Sequence, residues 1–163
     1  MIFFRSDASY IIGTGHVVRC LTLAKGLRKL GKKCQFICRD HDGNLINKIK
    51  QDGFEVRVIS NNKKLTFKNN KDDLIPFHAN WLGASWEDDA EETLKLTHKD
   101  EVDLIVVDHY SIDNRWEKKL RLHSKKIMVI DDLADRSHDC DILLDQNLIK
   151  NYESRYDNLI PIK

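Results

Sequence analysis

The chain has 163 residues, enough for one domain with a substantial core, and its 27 Lys and Arg nearly balance its 26 Asp and Glu. That balance argues against a nucleic-acid-binding protein, which would carry a clear basic excess. No apolar run approaches the roughly 20 residues that span a bilayer, and the first residues lack a signal-peptide pattern, so we expect a cytoplasmic protein without a membrane partner.

The four cysteines do not form a recognisable metal or disulfide pattern. Cys34 and Cys38 lie too far apart on one predicted strand to be bridged, and the chain has no C-x-x-C pair. We therefore expect reduced thiols, most of them packed as small apolar residues, and no zinc site.

The first sixty residues alternate between predicted strands and helices. The apolar run MIFF predicts a strand, and the helical spacing of apolar residues over residues 15–30 predicts a helix that Gly31 ends. CQFIC then predicts a second strand, GNLINKIKQDG a short helix and FEVRVIS a third strand. Apolar strands that alternate with helices indicate a parallel sheet covered on both faces.

The rest of the chain continues this alternation after a polar interruption. Residues 61–73 are rich in Lys and Asn and have no hydrophobic period, which predicts an exposed loop. WEDDAEETLKLTHK predicts a helix, VDLIVVDHY a strand, NRWEKKLRLH a helix, and KIMVIDDL and CDILLDQN two further strands. Together these elements predict a Rossmann-like, doubly wound α/β domain of about six strands.

Ligands of such sheets bind outside the carboxyl ends of the strands, near the point where the strand order reverses. Polar residues follow four of the predicted strands, and we expect them to gather at one edge. They are Arg5, Ser6 and Asp7 after the first strand, Asp108, His109 and Tyr110 after the fourth, Asp131 and Asp132 after the fifth, and Asp145, Gln146 and Asn147 after the sixth.

The turn IGTGH, between the first strand and the first helix, places two glycines before a histidine. It lacks the third glycine of the dinucleotide-binding fingerprint, so a nicotinamide or flavin cofactor is not expected. Gly13 and Gly15 allow a close backbone approach and leave helix N-terminal amides open to a phosphate or diphosphate. His16 lies at the positive end of the helix dipole, which favours a neutral imidazole and hence a general base. The alternative is a capping or merely exposed histidine.

Neighbouring polar residues each allow two interpretations. Asp7 and Ser9 could orient the histidine or bind a sugar hydroxyl, or they could only shape the loop. Arg5 and Arg19 could bind phosphate or carboxylate, or form structural ion pairs. His109 could be a second acid or base, although such residues more often line a pocket.

Several further residues are not expected to carry chemistry. Asp131 and Asp132, as adjacent strand residues, would point to opposite faces, so we expect no metal site there. His138 lies in a polar turn and is expected at the surface. The tryptophans, Trp81 among them, are expected to be packing residues.

Four blocks of sequence resemble the nucleotide-sugar hydrolases of pseudaminic acid biosynthesis, the PseG family, and spore-coat polysaccharide relatives share the first block. The blocks are RSDASYIIGTGHVVRCLTLA (residues 5–24), WLGASWEDDAEET (81–93), DLIVVDHYSID (103–113) and MVIDDLADRSHDCDILLDQN (128–147). They occur in the order of the family and cover nearly the whole chain, so they are far more specific than a single glycine-rich turn.

The resemblance implies hydrolysis of UDP-2,4-diacetamido-2,4,6-trideoxy-β-L-altropyranose. Water would attack the anomeric carbon with inversion, UDP would leave, and no metal or other cofactor would be required. The catalytic histidine of the family corresponds to His16. The candidate substrate-binding residues are Arg5, Asp7, Ser9, Gly13, Gly15, Arg19, His109 and Tyr110.

The resemblance also implies a two-domain fold like that of glycosyltransferases of the B type. We expect residues 1–163 to be its N-terminal half, with a polar insertion near residues 61–73. The C-terminal nucleotide-binding domain would be absent, and the chain alone would have little or no activity, because remote binding energy supports the chemistry. The alternatives are a glycosyltransferase whose acceptor is not water, and a non-catalytic half-domain that binds a partner.

Overall fold

A computed structural model of the chain describes residues 1–61 and 76–161. The predicted polar loop at residues 61–73 lies outside the described residues except for Asn61.

The strands form one six-stranded sheet in which every strand pair is parallel. The spatial order is β3-β2-β1-β4-β5-β6. This order is the doubly wound, Rossmann-like arrangement, so the predicted fold class is confirmed, and the strand order reverses between β1 and β4. The strands are β1 (Ile2–Ser6), β2 (Cys34–Arg39), β3 (Glu55–Ile59), β4 (Leu104–Asp108), β5 (Ile127–Ile130) and β6 (Ile142–Leu144).

Helices cover both faces of the sheet. Two further segments, Ala79–Leu82 and Tyr152–Ser154, are short 3-10 helices. In the part of the chain that the structure describes, no helix has the length and apolar character of a membrane span. The α-helices are α1 (Gly15–Lys29), α2 (Ile46–Gln51), α3 (Trp86–Thr97) and α4 (Asn114–Arg121).

Alternate residues of the strands supply two apolar layers. Phe4 and Phe36 lie in the layer that packs against α1 and α2. Phe3 and Ile105 lie in the layer on the other face, together with Trp116 of α4. Because both faces are covered, the central strands are apolar throughout rather than alternating, which is why short apolar runs predicted them.

A buried ionic network joins β1, β2 and α3 beneath one face of the sheet. Asp89 of α3 accepts hydrogen bonds from Arg5 (2.7 and 3.0 Å) and from Arg39 (2.8 Å). It also accepts one from the indole N–H of Trp116 (3.0 Å). Burial alone would raise the pKa of Asp89, but the two guanidinium groups outweigh burial and hold that pKa below its usual value.

This network corrects one expectation from the sequence. Arg5 was expected to follow the first strand, but β1 runs to Ser6 and Arg5 lies within it, fully buried. A charged residue occupies a central strand here because Asp7 and Asp89 neutralise it within the protein.

We predict that Asp89→Asn lowers the free energy of unfolding by about 3–5 kcal/mol, because it removes the buried carboxylate that Arg5 and Arg39 share and leaves them only Asp7 and Glu92. Its matched control is Glu91→Gln, which removes only an exposed contact with Lys119 (3.0 Å) and should cost less than about 1 kcal/mol. Urea unfolding at neutral pH measures both. Since the pKa of Asp89 is lowered on folding, its contribution is present above about pH 4 and is lost as the pH falls below that value. An equal loss of unfolding free energy in the two variants would contradict the stabilising role of the buried Asp89 carboxylate.

Candidate active site

His16 and Asp108 meet at the point where the strand order reverses. His16 is the second residue of α1, Asp108 is the last residue of β4, and both are buried, with His16 only 5% exposed. Nδ1 of His16 lies 2.6 Å from Oδ1 of Asp108. The fold therefore makes an aspartate–histidine pair from residues that are far apart in the sequence.

The Asp108 carboxylate determines which nitrogen of His16 carries the proton. A carboxylate oxygen at this distance can only accept, so Nδ1 of His16 must donate. Arg19 Nη2 lies 3.2 Å from the same nitrogen, but it also donates to Asp108 Oδ1. Nε2 of His16 is left with a free lone pair and has no hydrogen-bond partner within the described residues. One anchored nitrogen and one available nitrogen are what a general base requires.

Arg19 holds Asp108 from the opposite side. Its Nε and Nη2 donate to the two carboxylate oxygens at 2.5 and 2.6 Å, and its Nη1 lies 3.2 Å from Asp132. The three-residue spacing places His16 and Arg19 on one face of α1. Substrate binding by Arg19 remains a prediction, and in this structure its guanidinium positions Asp108.

Tyr110 and Asp132 continue the network beside His16. The Tyr110 hydroxyl donates to Asp132, and its ring meets His16 edge-on with centroids 4.4 Å apart. Burial, reinforced by the hydrogen bond to Asp132, raises the pKa of Tyr110 to about 12, so its hydroxyl is a neutral donor at physiological pH. Tyr110 is therefore a predicted pocket residue whose ring lies directly beside the candidate base.

Arginines at this edge are already paired with carboxylates. The predicted Arg5 and Arg19 pair with Asp7 and Asp108, and Arg136 pairs with Asp131 at 2.8 Å. The first amides of α1 have no intrahelical acceptor, and Thr14, the residue before the helix, does not cap them. These amides are therefore candidate donors to an anionic ligand.

Asp7 is buried at the end of β1 and contacts residues at the ends of β2 and β4. Its Oδ1 accepts hydrogen bonds from Arg5 and from the backbone N–H of Arg39, both at 2.7 Å. Its Oδ2 lies 3.3 Å from Nε2 of His109, which follows β4. Burial would raise the pKa of Asp7, but Arg5 and the neighbouring histidines hold it well below its usual value.

His109 differs from His16 in both tautomer and access. Its Nδ1 accepts the backbone N–H of Ser111 at 3.1 Å, so the proton of the neutral ring lies on Nε2, facing Asp7. Burial lowers the pKa of His109, and the ring is only 2% exposed. Substrate binding by Asp7 and His109 remains a prediction, but these contacts support a structural role.

The loop between β1 and α1 is shaped by Ser9 and Gly13. Ser9 Oγ accepts the N–H groups of Ile11 (3.1 Å) and Ile12 (2.9 Å). Gly13 has a φ of +79°, which other residues adopt only with strain. Gly15 has no such requirement, and a Cβ added to it would meet nothing within 4 Å. The space beside Gly15 is therefore open to a ligand.

An aromatic group beside Tyr110 was not found from the sequence. The ring centroid of His78 lies 4.2 Å from that of Trp81 and 5.5 Å from that of Tyr110. Trp81, expected to be a packing residue, is only half-buried and lies 6.0 Å from Tyr110. The only sequence signal for this group was the position of Trp81 within one of the four family-like blocks.

Asp131 and Asp132 lie in the loop after β5 and point to different partners. Asp131 pairs with Arg136, whereas Asp132 contacts Arg19 and Tyr110. The prediction that His138 is a surface residue is wrong. It is 2% exposed because its Nδ1 lies 2.7 Å from the buried carboxylate of Glu117.

Residues 1–61 and 76–161 contain no group of three or more His, Cys, Asp or Glu side chains that could hold a metal ion. None of the four cysteines, all of which the structure describes, forms a disulfide, and three of them are buried; Cys34 is half-buried.

No family model matches the chain. Among curated proteins, it is 29% identical over 163 residues to the UDP-2,4-diacetamido-2,4,6-trideoxy-β-L-altropyranose hydrolase of Campylobacter jejuni. The resemblance to the PseG family is confirmed. The alignment covers 99% of this chain but 47% of the relative, so the chain spans about half the length of the curated protein that it matches.

Proposed function

We propose that this chain is the N-terminal, catalytic half of a nucleotide-sugar hydrolase of pseudaminic acid biosynthesis. The observation that carries the proposal is the His16–Asp108 pair, which leaves Nε2 of His16 free at the ligand-binding edge of the sheet. The similarity to the Campylobacter jejuni hydrolase supplies the substrate class, a UDP-linked diacetamido-trideoxy sugar.

In the proposed reaction, Nε2 of His16 takes a proton from a water molecule that attacks the anomeric carbon. The bond between that carbon and the β-phosphate oxygen breaks, and UDP leaves with the bonding electrons. A single displacement on the face opposite UDP inverts the anomeric configuration. Asp108 stabilises the imidazolium that forms, as a carboxylate does in other aspartate–histidine pairs.

The charge distribution beside His16 suits this reaction. Asp108 and Asp132 share one guanidinium, that of Arg19, which leaves an excess of negative charge near the base. Positive charge develops at the anomeric carbon in the transition state, and nearby carboxylates stabilise it. We propose that the substrate contacts Tyr110 and occupies the open space beside Gly15. Arg5, Asp7 and His109 would instead hold the strand ends in place.

The test is UDP release from the UDP-linked diacetamido-trideoxy sugar by the full-length protein that contains this chain. We predict UDP and free sugar without an added acceptor, and a kcat at least about 100-fold lower in His16→Ala, because the general base is lost. Asp108→Asn should also lower kcat, since an amide N–H facing the ring favours the wrong tautomer. The control is His98→Ala, an exposed histidine at the end of α3, with unchanged kcat.

An undiminished rate in His16→Ala would remove the residue from the mechanism. UDP release that requires an acceptor would instead identify a glycosyltransferase.

A second prediction concerns the glycine before the base. Gly15→Ala should raise KM at least about tenfold, because an added methyl group overfills a site that the substrate occupies. Its control is Gly26→Ala in the same helix, where an added Cβ also meets nothing within 4 Å. Neither substitution should lower the melting temperature, since both favour the helix. Equal KM values in the two variants would show that the substrate does not approach Gly15.

A further inference from the structure

A pocket of about 360 Å³ lies beyond Asp132, between the end of β6 and the 3-10 helix Tyr152–Ser154. Its volume is within the range of sites for small ligands. The residues that line it include Leu143, Asp145, Gln146, Asn147, Leu148 and Tyr152.

Both apolar and polar side chains line the pocket, and the described residues that line it carry no unbalanced charge. Asp145 supplies the carboxylate of the pocket. Its Oδ2 pairs with Arg155 at 2.6 Å and accepts a hydrogen bond from the Tyr156 hydroxyl at 3.2 Å. The other oxygen of Asp145 accepts the backbone N–H of Asn147 at 2.8 Å. A neutral ligand is therefore favoured over a phosphate or an ammonium group.

Two solvent-exposed carboxamide groups line the pocket. Within the described residues, the Asn147 side chain has no hydrogen-bond partner, and Gln146 uses only its NH₂ group, which donates to Asp132 at 2.8 Å. Free carboxamide groups can both donate to a carbonyl and accept from an N–H, so together they match the two polar atoms of an amide ligand.

Apolar side chains stand beside these amides. Leu148 is 89% exposed and Tyr152 is 57% exposed. Side chains of this kind cover methyl groups and the apolar face of a sugar ring. An acetamido group carries both features, a polar amide and a methyl group.

Asp132 connects the pocket to the candidate base. The carboxylate that binds Gln146 also accepts the hydroxyl of Tyr110, whose ring contacts His16. We propose that this pocket binds an N-acetylated monosaccharide, with its acetamido group between Gln146 and Asn147. The inference rests on the proposed function, in which the occupant is the sugar of the nucleotide sugar.

The test is side-chain amide NMR of the ¹⁵N-labelled full-length protein, titrated with N-acetylglucosamine and, in parallel, with glucose. We expect saturable shifts of the Gln146 and Asn147 carboxamides with N-acetylglucosamine alone. Asn147→Ala should raise the Kd at least about fivefold, the effect of losing one or two hydrogen bonds. Gln51→Ala, an exposed carboxamide at the end of α2, should leave the Kd within about twofold.

Unshifted carboxamides, or identical shifts with glucose, would overturn the proposal. This titration needs no turnover, so it tests sugar binding in the pocket even if the protein hydrolyses nothing. Where hydrolysis is observed, UDP-N-acetylglucosamine is titrated as well. If UDP-N-acetylglucosamine binds more tightly than the free sugar, and Asn147→Ala raises its Kd by the same factor, the occupant is the nucleotide-linked sugar. If only the free sugar binds, the occupant is not the sugar of the nucleotide sugar.

Discussion

The carboxylate of Asp108 is the group on which the candidate site depends. It is fully buried at the end of a central strand, where an isolated charge would be strongly destabilising. Its countercharge and its hydrogen bonds come from His16, Arg19 and Cys20, which all lie on α1. Burial and the nearby carboxylate raise the pKa of Cys20, so its thiol stays a neutral donor. The contacts that hold α1 against the sheet are therefore the same contacts that orient the candidate base.

A second set of buried charges lies beside the first, and the ring centroids of His109 and His16 are 6.4 Å apart. Arg5, Asp7 and Asp89 link the ends of β1 and β2 to α3, and Asp7 reaches His109 beside β4. The contacts of Asp7 join the ends of β1, β2 and β4. In the proposed mechanism, a base that is held in place before the substrate binds needs little rearrangement in the transition state. The buried network would then serve the reaction by fixing the strand end that carries Asp108, and the half-buried side chains around Tyr110 would contact the substrate.

Much of the fold could be predicted from local patterns. The apolar runs gave each strand because a doubly covered parallel sheet requires them, and the spacing from Gly15 onward gave α1. The rule that ligands bind at the carboxyl edge placed Asp108, Tyr110 and Asp132 near His16. The sequence offered five aspartates at this edge, and only the packing of α1 decides which of them meets the histidine.

The remaining features depend on contacts between distant segments. Arg5 is buried because Asp89, on a helix much later in the chain, lies beneath it. His138 is buried because the buried carboxylate of Glu117 accepts a hydrogen bond from its Nδ1. Trp81 lies in a 3-10 helix and His78 directly precedes it. So short a helix has no hydrophobic period from which the covered face could be predicted. None of these partners can be inferred from neighbouring residues alone.

The most direct measurement is long-range ¹H–¹⁵N NMR of the histidine side chains, at a pH where His16 is neutral. The structure requires the proton of His16 on Nδ1, with Nε2 free to accept one from water, and the proton of His109 on Nε2. A neutral His16 that carries its proton on Nε2 would contradict the account, because the nitrogen that acts as the base in the proposed mechanism could then no longer accept a proton.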